Sequence, residues 1–534
     1  MSSTALLTHI ASSPFTYLSL ALPIILILLL RHISTPTLHP FEPPLIAPRI
    51  PFLGHIINLL RQQGAFYTNV YATHPLPIAT LPMADKRMYM LTSPALIQAA
   101  MRSRSLSFEP FMNEFAQKMV ALTDAEWAPV PALTPQFIKT IHASLTGDHL
   151  AKMNLVALNN HVAFFLNKVI PPTSFSACLE IPDLYAHLKT LVTLATADGL
   201  YGPDPATNPF RARPSLIDDL WDFDSGLFNL IADLFPRWLA PQAVRGRANL
   251  QEALGDYYEA RLDENPDAGV SEVVRARAAV MRAHGIVDRR IGRLEIALVH
   301  VAAVNTLPTL FWFVVELFAR PEAVARARAE VERSVLVSTE EGAGKGGRKA
   351  TLDITKLTDE THTPFLISVY REVTRKHSAN IVTRRVMEDV EISDGEGGRC
   401  FLKKDADVQM IAGVTHLLPE IWGADADEFV PDRFAATTTT TGNNDDRKKK
   451  SAAMIPFGGG KHLCPGRNFA YAENMGLVAA LLLGFEAKGL SVDKIPSKKP
   501  LTLGHGIPEP AGQTAVTIGR REGWEDVKWG FTSS

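Results

Sequence analysis

The chain has 534 residues, 46% of them hydrophobic, and a formal net charge of -2. It can bury a large core, and its near-neutral balance excludes the basic face that a nucleic-acid partner needs. Its three cysteines, Cys178, Cys400 and Cys464, are too few and odd in number for a disulfide framework, so a reducing compartment is expected.

The stretch Pro14 to Leu30, PFTYLSLALPIILILLL, is apolar and uncharged. Its length is at the short end of what crosses a bilayer. Arg31 and His32 follow, and no Lys or Arg precedes it. That flank predicts a single-pass membrane anchor over residues 1–31 with its C-terminal side cytoplasmic. A cleaved signal peptide would need a basic leading segment and an A-x-A site, and neither is here. Residues 32–54 carry Pro36, Pro40, Pro43, Pro44, Pro48 and Pro51. Proline fixes φ and lacks a backbone donor, so this run is expected to be a stiff, non-helical spacer. The remainder, 55–534, is expected to be one large domain.

Periodicity predicts helices over Leu250–Leu262, Val273–His284, Leu294–Ala319, Glu322–Val335, Asp359–Lys376 and Phe469–Leu483. Short strands are expected near Val390 (VEISD), Val408 (DVQMI) and Val516 (TAVTI). The fold class expected is therefore mainly α with a minor β component. Ser338–Ala350 is polar and glycine-rich, and Ala435–Ser451 is low in complexity and then basic. Both read as surface loops, because neither buries enough apolar area to order itself. The helix Leu294–Ala319 contains HVAAVNTLPTLFW. Pro308 inside it removes a backbone hydrogen bond and predicts a kink.

Cys464 lies in PFGGGKHLCPGR, an irregular loop ahead of an apolar helix. A nucleophilic thiol needs a base, and His462 is two residues away. A zinc site needs about four ligands, and no second cysteine is close. A thiolate ligand to heme iron needs a single cysteine with backbone N–H groups aimed at its sulfur. Glycines permit such a tight loop, and the helix that follows turns its positive dipole end towards the sulfur.

The loop resembles the heme-binding loop of the cytochrome P-450 family, Phe-x-x-Gly-x-x-x-Cys-x-Gly, through Phe457, Gly460, Cys464 and Gly466. Two further motifs follow the family's order: EVTR, with Glu372 and Arg375 one helical turn apart, and PDRF, with Arg433. The resemblance extends from about Pro43 to Arg521. It implies the cytochrome P-450 fold, heme b (iron protoporphyrin IX) as cofactor, Cys464 as axial iron ligand and Phe457 packed beside its sulfur. It further implies a buried ion network of Glu372, Arg375 and Arg433, with His462 and Arg384 as heme-propionate partners; Arg385 is the rival of Arg384. The family often has a further propionate-binding Arg four residues after a Trp. After Trp127 this chain reads APVP.

The family's oxygen-side helix usually carries an acid followed by a threonine. Either Asn305 and Thr306 occupy those positions, or Val304 and Asn305 do; in both registers the acid is missing. Asn305 and Thr306 are thus the candidate catalytic residues. The pattern of Asn305, Thr306, Pro308, Phe311 and Trp312 resembles the branch with sterol 7α- and 12α-hydroxylases and prostacyclin synthase. The favoured reading of Phe311 and Trp312 is simple core packing. Ile507 and Pro508, in GHGIPEP, are candidate substrate contacts or part of an ordinary hairpin turn. The resemblance implies a monooxygenase that inserts one oxygen atom from O2 into a lipophilic substrate such as a steroid, a terpenoid or another specialised metabolite. Electrons would come from NADPH through NADPH-cytochrome P-450 reductase docked near Lys461 and Arg467. The location implied is the endoplasmic reticulum membrane, with the catalytic domain cytosolic. A reductase-independent isomerase or dehydratase of a peroxide is the alternative.

Overall fold

A computed structural model describes residues 37–533, apart from 49, 51, 52, 85, 169–177, 234, 335, 341–347, 396, 436–443 and 503. The anchor expected over 1–31 and the start of the spacer lie outside the described residues. The chain divides into two compact units. One draws on Met1–Phe108 and Ile381–Thr415, the other on Glu109–Asn380 and His416–Ser534.

The first unit is built on a five-stranded sheet of β1 (Ile78–Pro82), β2 (Arg87–Leu91), β3 (Leu106–Ser107), β4 (Ile381–Val386) and β5 (Asp407–Ile411), in the order β1-β2-β5-β4-β3. β5, the expected DVQMI strand, runs parallel to β2, with Val408 opposite Tyr89; the other pairs are antiparallel. Side chains alternate along a strand, and β4 buries Val382, Arg384 and Val386 on one face. Part of the proline-rich stretch packs on this sheet. Ile46 N–H donates to Thr80 O at 3.0 Å. Glu42, 8% exposed, accepts from Arg87 at 2.8 Å and from the Tyr89 hydroxyl at 2.8 Å.

The second unit is helical around a buried apolar core. The helices that carry the site are α1 (Leu184–Tyr201), α2 (Leu216–Ser225), α3 (Asp288–Ala303), α4 (Thr306–Phe318), α5 (Pro364–His377) and α6 (Arg467–Gly484). α4 is buried at every residue and packs against α1, α5 and α6. Together α3 and α4 are long and apolar enough to cross a membrane, but most of their length is buried within the fold, which makes them core helices. The expected TAVTI strand forms within Val516–Arg520, between Phe485–Lys488 and Cys178–Ile181.

Three expectations change in detail. The helix expected over Leu294–Ala319 is interrupted at Val304 and Asn305. Pro308 has no N–H to offer the Val304 carbonyl, and its ring crowds that carbonyl, so the break falls one turn before the proline. Asn444–Ala453, which begins inside the expected loop Ala435–Ser451, is a helix exposed over most of its length, with Ala453 buried. Its Asp445 and Asp446 lie in the first turn and Lys450 in the last, which suits the helix dipole. The ends of Ser338–Ala350 enter strands Leu336–Glu340 and Lys349–Asp353, which pair antiparallel.

Candidate active site

The cysteine loop makes one 3-10 turn, Gly460–His462, and leads into α6 at Gly466. Gly458 and Gly460 hold φ of 71° and 62°, which a side chain would strain. Cys464 N–H donates to Phe457 O at 3.1 Å and closes the loop. Arg467 Nη1 donates to Cys464 O at 2.9 Å and braces the entry to α6. Burial pushes the Cys464 thiol up. Backbone N–H groups of Gly466 and Arg467 on the sulfur, with the Arg467 charge, pull it part of the way back. A Cβ at Gly466 would meet no protein atom within 4 Å. A half-buried sulfur with two backbone donors, an open approach at Gly466 and a helix N-terminus behind it fits a thiolate ligand to heme iron. Phe457 and His462 are half-buried in the same loop, and Lys461 is exposed.

Behind the loop, Glu372 and Arg375 lie on one face of α5, both fully buried. Arg375 meets Glu372 with two bonds of 2.7 Å. Its remaining hydrogens go to the carbonyls of His416 (2.7 Å), Ala426 (2.6 Å) and Glu428 (3.0 Å). Arg433 donates to Glu372 at 3.0 Å and also holds Asp425 and the Trp422 carbonyl. Buried charges are tolerable when paired and hydrogen-bonded in this way. The structure thus brings Glu372, Arg375 and Arg433 together. His416 extends the network: its Nε2 accepts from Ile455 N–H at 3.0 Å, just ahead of Pro456 and Phe457.

At the break between α3 and α4, Asn305 is exposed and its Oδ1 accepts from Gly506 N–H at 2.9 Å. Thr306 is buried, with its hydroxyl turned back onto Ala302 O at 2.9 Å; Thr309 does the same to Asn305 O. Ile507 and Pro508 follow Gly506 and are both buried. Trp312 Nε1 donates to Pro508 O at 2.8 Å, and its ring stacks on His377 at 4.3 Å. Phe311 and Trp312 are core residues, as their chemistry suggested, but Trp312 also fastens the turn. Ala379 N–H, just beyond α5, gives Gly506 O a further bond at 2.9 Å.

Arg384 belongs to the first unit, on the buried face of β4. Burial pushes its guanidinium down to about 10. Nη1 donates to Thr383 O at 2.7 Å, and the group lies over the Phe108 ring. Arg385 points the other way and pairs with Asp407 at 2.9 Å. The alternation of IVTRRV carries that distinction, with Arg384 in phase with Val382 and Val386.

Sequence reasoning missed Asp224, on α2, which accepts from both His300 on α3 (2.7 Å) and His505 beside Gly506 (2.8 Å). Burial pushes the Asp224 carboxyl up, but the two imidazole bonds outweigh it and hold it well below the usual carboxylate range. Burial pushes His505 down, and the bond and charge of Asp224 more than reverse this. A histidine within the apolar helix pattern was the one signal; Asp224 stands 76 residues from His300 and 281 from His505 in sequence.

A sequence profile described as Cytochrome P450 matches residues 288–516. The chain is 34% identical to a cytochrome P450 monooxygenase of Gibberella zeae, over 95% of this chain and 94% of that protein. It is 29% identical to 25-hydroxycholesterol 7-alpha-hydroxylase of Rattus norvegicus, over 60% of this chain and 74% of that one. Among solved structures, retinoic acid-bound cyanobacterial CYP120A1 matches with a TM-score of 0.67 at 18% identity, over 90% of this chain and 99% of that one, a likeness of fold. With the cysteine loop, the buried Glu–Arg–Arg network and a near full-length relative in agreement, the chain belongs to the cytochrome P450 family of heme-dependent monooxygenases.

Proposed function

We propose that the protein inserts one oxygen atom from O2 into a lipophilic small molecule of the steroid, terpenoid or specialised-metabolite kind, with NADPH-cytochrome P-450 reductase as electron donor. The observation that carries this reading is Cys464, whose sulfur receives two backbone N–H groups at the start of α6. Heme b bound through that sulfur supplies the oxygen chemistry: two electrons and two protons reduce O2, one oxygen atom enters the substrate and the other leaves as water.

The chain's own residues bind, orient and move protons. Asn305 is the favoured proton-directing group, because its side chain is exposed at the helix break while the Thr306 hydroxyl is engaged with Ala302. Ile507 and Pro508 are proposed substrate contacts on a turn pinned by Asn305 and Trp312. His462 and Arg384 are proposed propionate partners, Phe457 the residue beside the sulfur, and exposed Lys461 with Arg467 part of the reductase surface. The proposed organisation is an anchor at 1–31, a proline-rich spacer at 32–54, part of which packs on the first unit's sheet, and a catalytic domain at 55–534. The uncharged run Pro14 to Leu30 with Arg31 behind it supports an endoplasmic reticulum anchor with the catalytic domain cytosolic.

The test is turnover in membranes containing a reductase, with lipophilic extract as substrate and products compared by mass. The expected product is heavier by one oxygen atom, forms only with NADPH and is lost in Cys464→Ala. A product of unchanged mass formed without NADPH would replace this reading with a peroxide isomerase.

A further inference from the structure

The cluster of Asp224, His300 and His505 takes no part in oxygen chemistry, yet three separate elements converge on it. Both Nε2 atoms lie on the same oxygen, Asp224 Oδ1. An ionised carboxylate only accepts, so each Nε2 carries its hydrogen. The two imidazole bonds hold Asp224 ionised. In the neutral tautomer whose Nε2 hydrogen goes to Asp224, His300 Nδ1 is a hydrogen-bond acceptor. His300 is 6% exposed, and its Nδ1 is buried with no hydrogen-bond partner among the described residues. Leaving a buried acceptor unpaired is costly unless something arrives to pair it. The ring is held in place, with Phe223 edge-on at 5.4 Å on one side and Asp224 on the other.

The surroundings point to what arrives. Val301, the next residue, is 62% exposed, whereas Val299, His300 and Ala303 around it are buried. Asn305 is exposed as well, and residues four apart share a helix face. An open strip of helix therefore begins beside His300 and ends at Asn305. The turn runs along it: His505 bonds Asp224 at the His300 end, and Gly506 bonds Asn305 at the other. Four residues separate His300 from Asn305, the last of them at the helix break, a span of roughly 7 Å at a helical rise per residue.

We propose that His300 Nδ1 is a specificity-determining group that accepts a hydrogen bond from a hydroxyl of the substrate. The inference rests on the monooxygenase reading and deepens it: the substrate is a lipophilic alcohol rather than a hydrocarbon. With its hydroxyl at His300, the carbon presented near Asn305 is several bonds away, so oxidation falls at a site remote from that hydroxyl. Asp224 is a positioning residue, which fixes the tautomer that leaves Nδ1 free to accept.

The experiment is equilibrium dialysis of the heme-loaded full chain against matched pairs. A sterol, a sesquiterpene, a diterpene and a fatty alcohol are each tested beside the deoxy counterpart. The wild type is expected to bind at least one alcohol about tenfold or more tighter than its deoxy partner, the discrimination one such hydrogen bond gives. His300→Phe brings the pair to near parity by weakening the alcohol alone, and His300→Gln, whose amide oxygen accepts, keeps part of the preference. Should His300→Phe fail to hold heme, Asp224→Asn serves in its place and lowers the preference by releasing the tautomer. No preference for any alcohol in the wild type, including no binding at all, overturns the assignment; so does a preference that survives these variants. The carbon-monoxide difference spectrum of the same samples separates the two readings. A wild type lacking the band of thiolate-bound heme sinks the monooxygenase reading. A normal band with no alcohol preference sinks only the role of His300.

Discussion

Glu473, on α6, holds a proton in the folded chain that it would release in water. Burial pushes its carboxyl from 4.5 up to about 8, and neither carboxyl oxygen has a hydrogen-bond partner among the described residues. Between those two values the unfolded chain gives up the proton and the fold keeps it. The unfolded state then binds fewer protons, so stability falls as pH rises across that window. Glu473→Gln keeps the shape without the proton. Denaturant midpoints at a series of pH values between 5 and 8 should show a smaller alkaline loss in the variant than in the wild type; parallel curves would mean that Glu473 is ionised in the fold. Single residues also show how much the sequence discloses. The period of two in β4 separates buried Arg384 from Arg385, which pairs with Asp407. Nothing local identified Asp224, because its hydrogen-bond partners His300 and His505 lie far along the chain.

At the scale of elements, the helix that carries Asn305 owes its break to Pro308 and its attachment to Trp312. The indole N–H is the only polar group on that side chain, and it reaches the Pro508 carbonyl at 2.8 Å. Trp312→Phe retains an aromatic ring against His377 but leaves a buried carbonyl unpaired, a loss of about 1–3 kcal/mol. Chemical denaturation should register that loss, and hydrogen exchange at residues 504–510 should speed up, since Gly506 and Pro508 are the points where the turn is tied. Unchanged exchange there would show that Asn305 and Ala379 hold the turn without Trp312. Apolar periodicity located this helix, but continuity across Val304 and Asn305 was not legible in it. A hydrophobic pattern reads which face is buried, whereas the break depends on one missing N–H and on side-chain hydroxyls that bond back to the backbone.

Across the molecule, the Glu372–Arg375–Arg433 network ties α5 to the segment 416–433, and His416 carries the tie to Ile455 at the entrance of the cysteine loop. Arg375→Ala strands Glu372 with one cation and frees three carbonyls, two of them buried, so a destabilisation of about 3–5 kcal/mol is expected. The heme-to-protein ratio of the purified variant should fall steeply. Wild-type loading with an unchanged denaturation midpoint would show that the network is not what seats the loop. The sequence by itself determined the cysteine loop, the three charged residues of the network, the helical class and the strands near Val390, Val408 and Val516. These are properties of short spacings and local periodicity, which the chain expresses wherever it folds. Tertiary structure alone decided that Asn305 faces outward while Thr306 turns inward, that Trp312 fastens Pro508, and that Asp224 gathers His300 and His505. Each of these depends on groups brought together from distant parts of the chain, where burial sets the cost of an unpaired polar atom and so selects its partner.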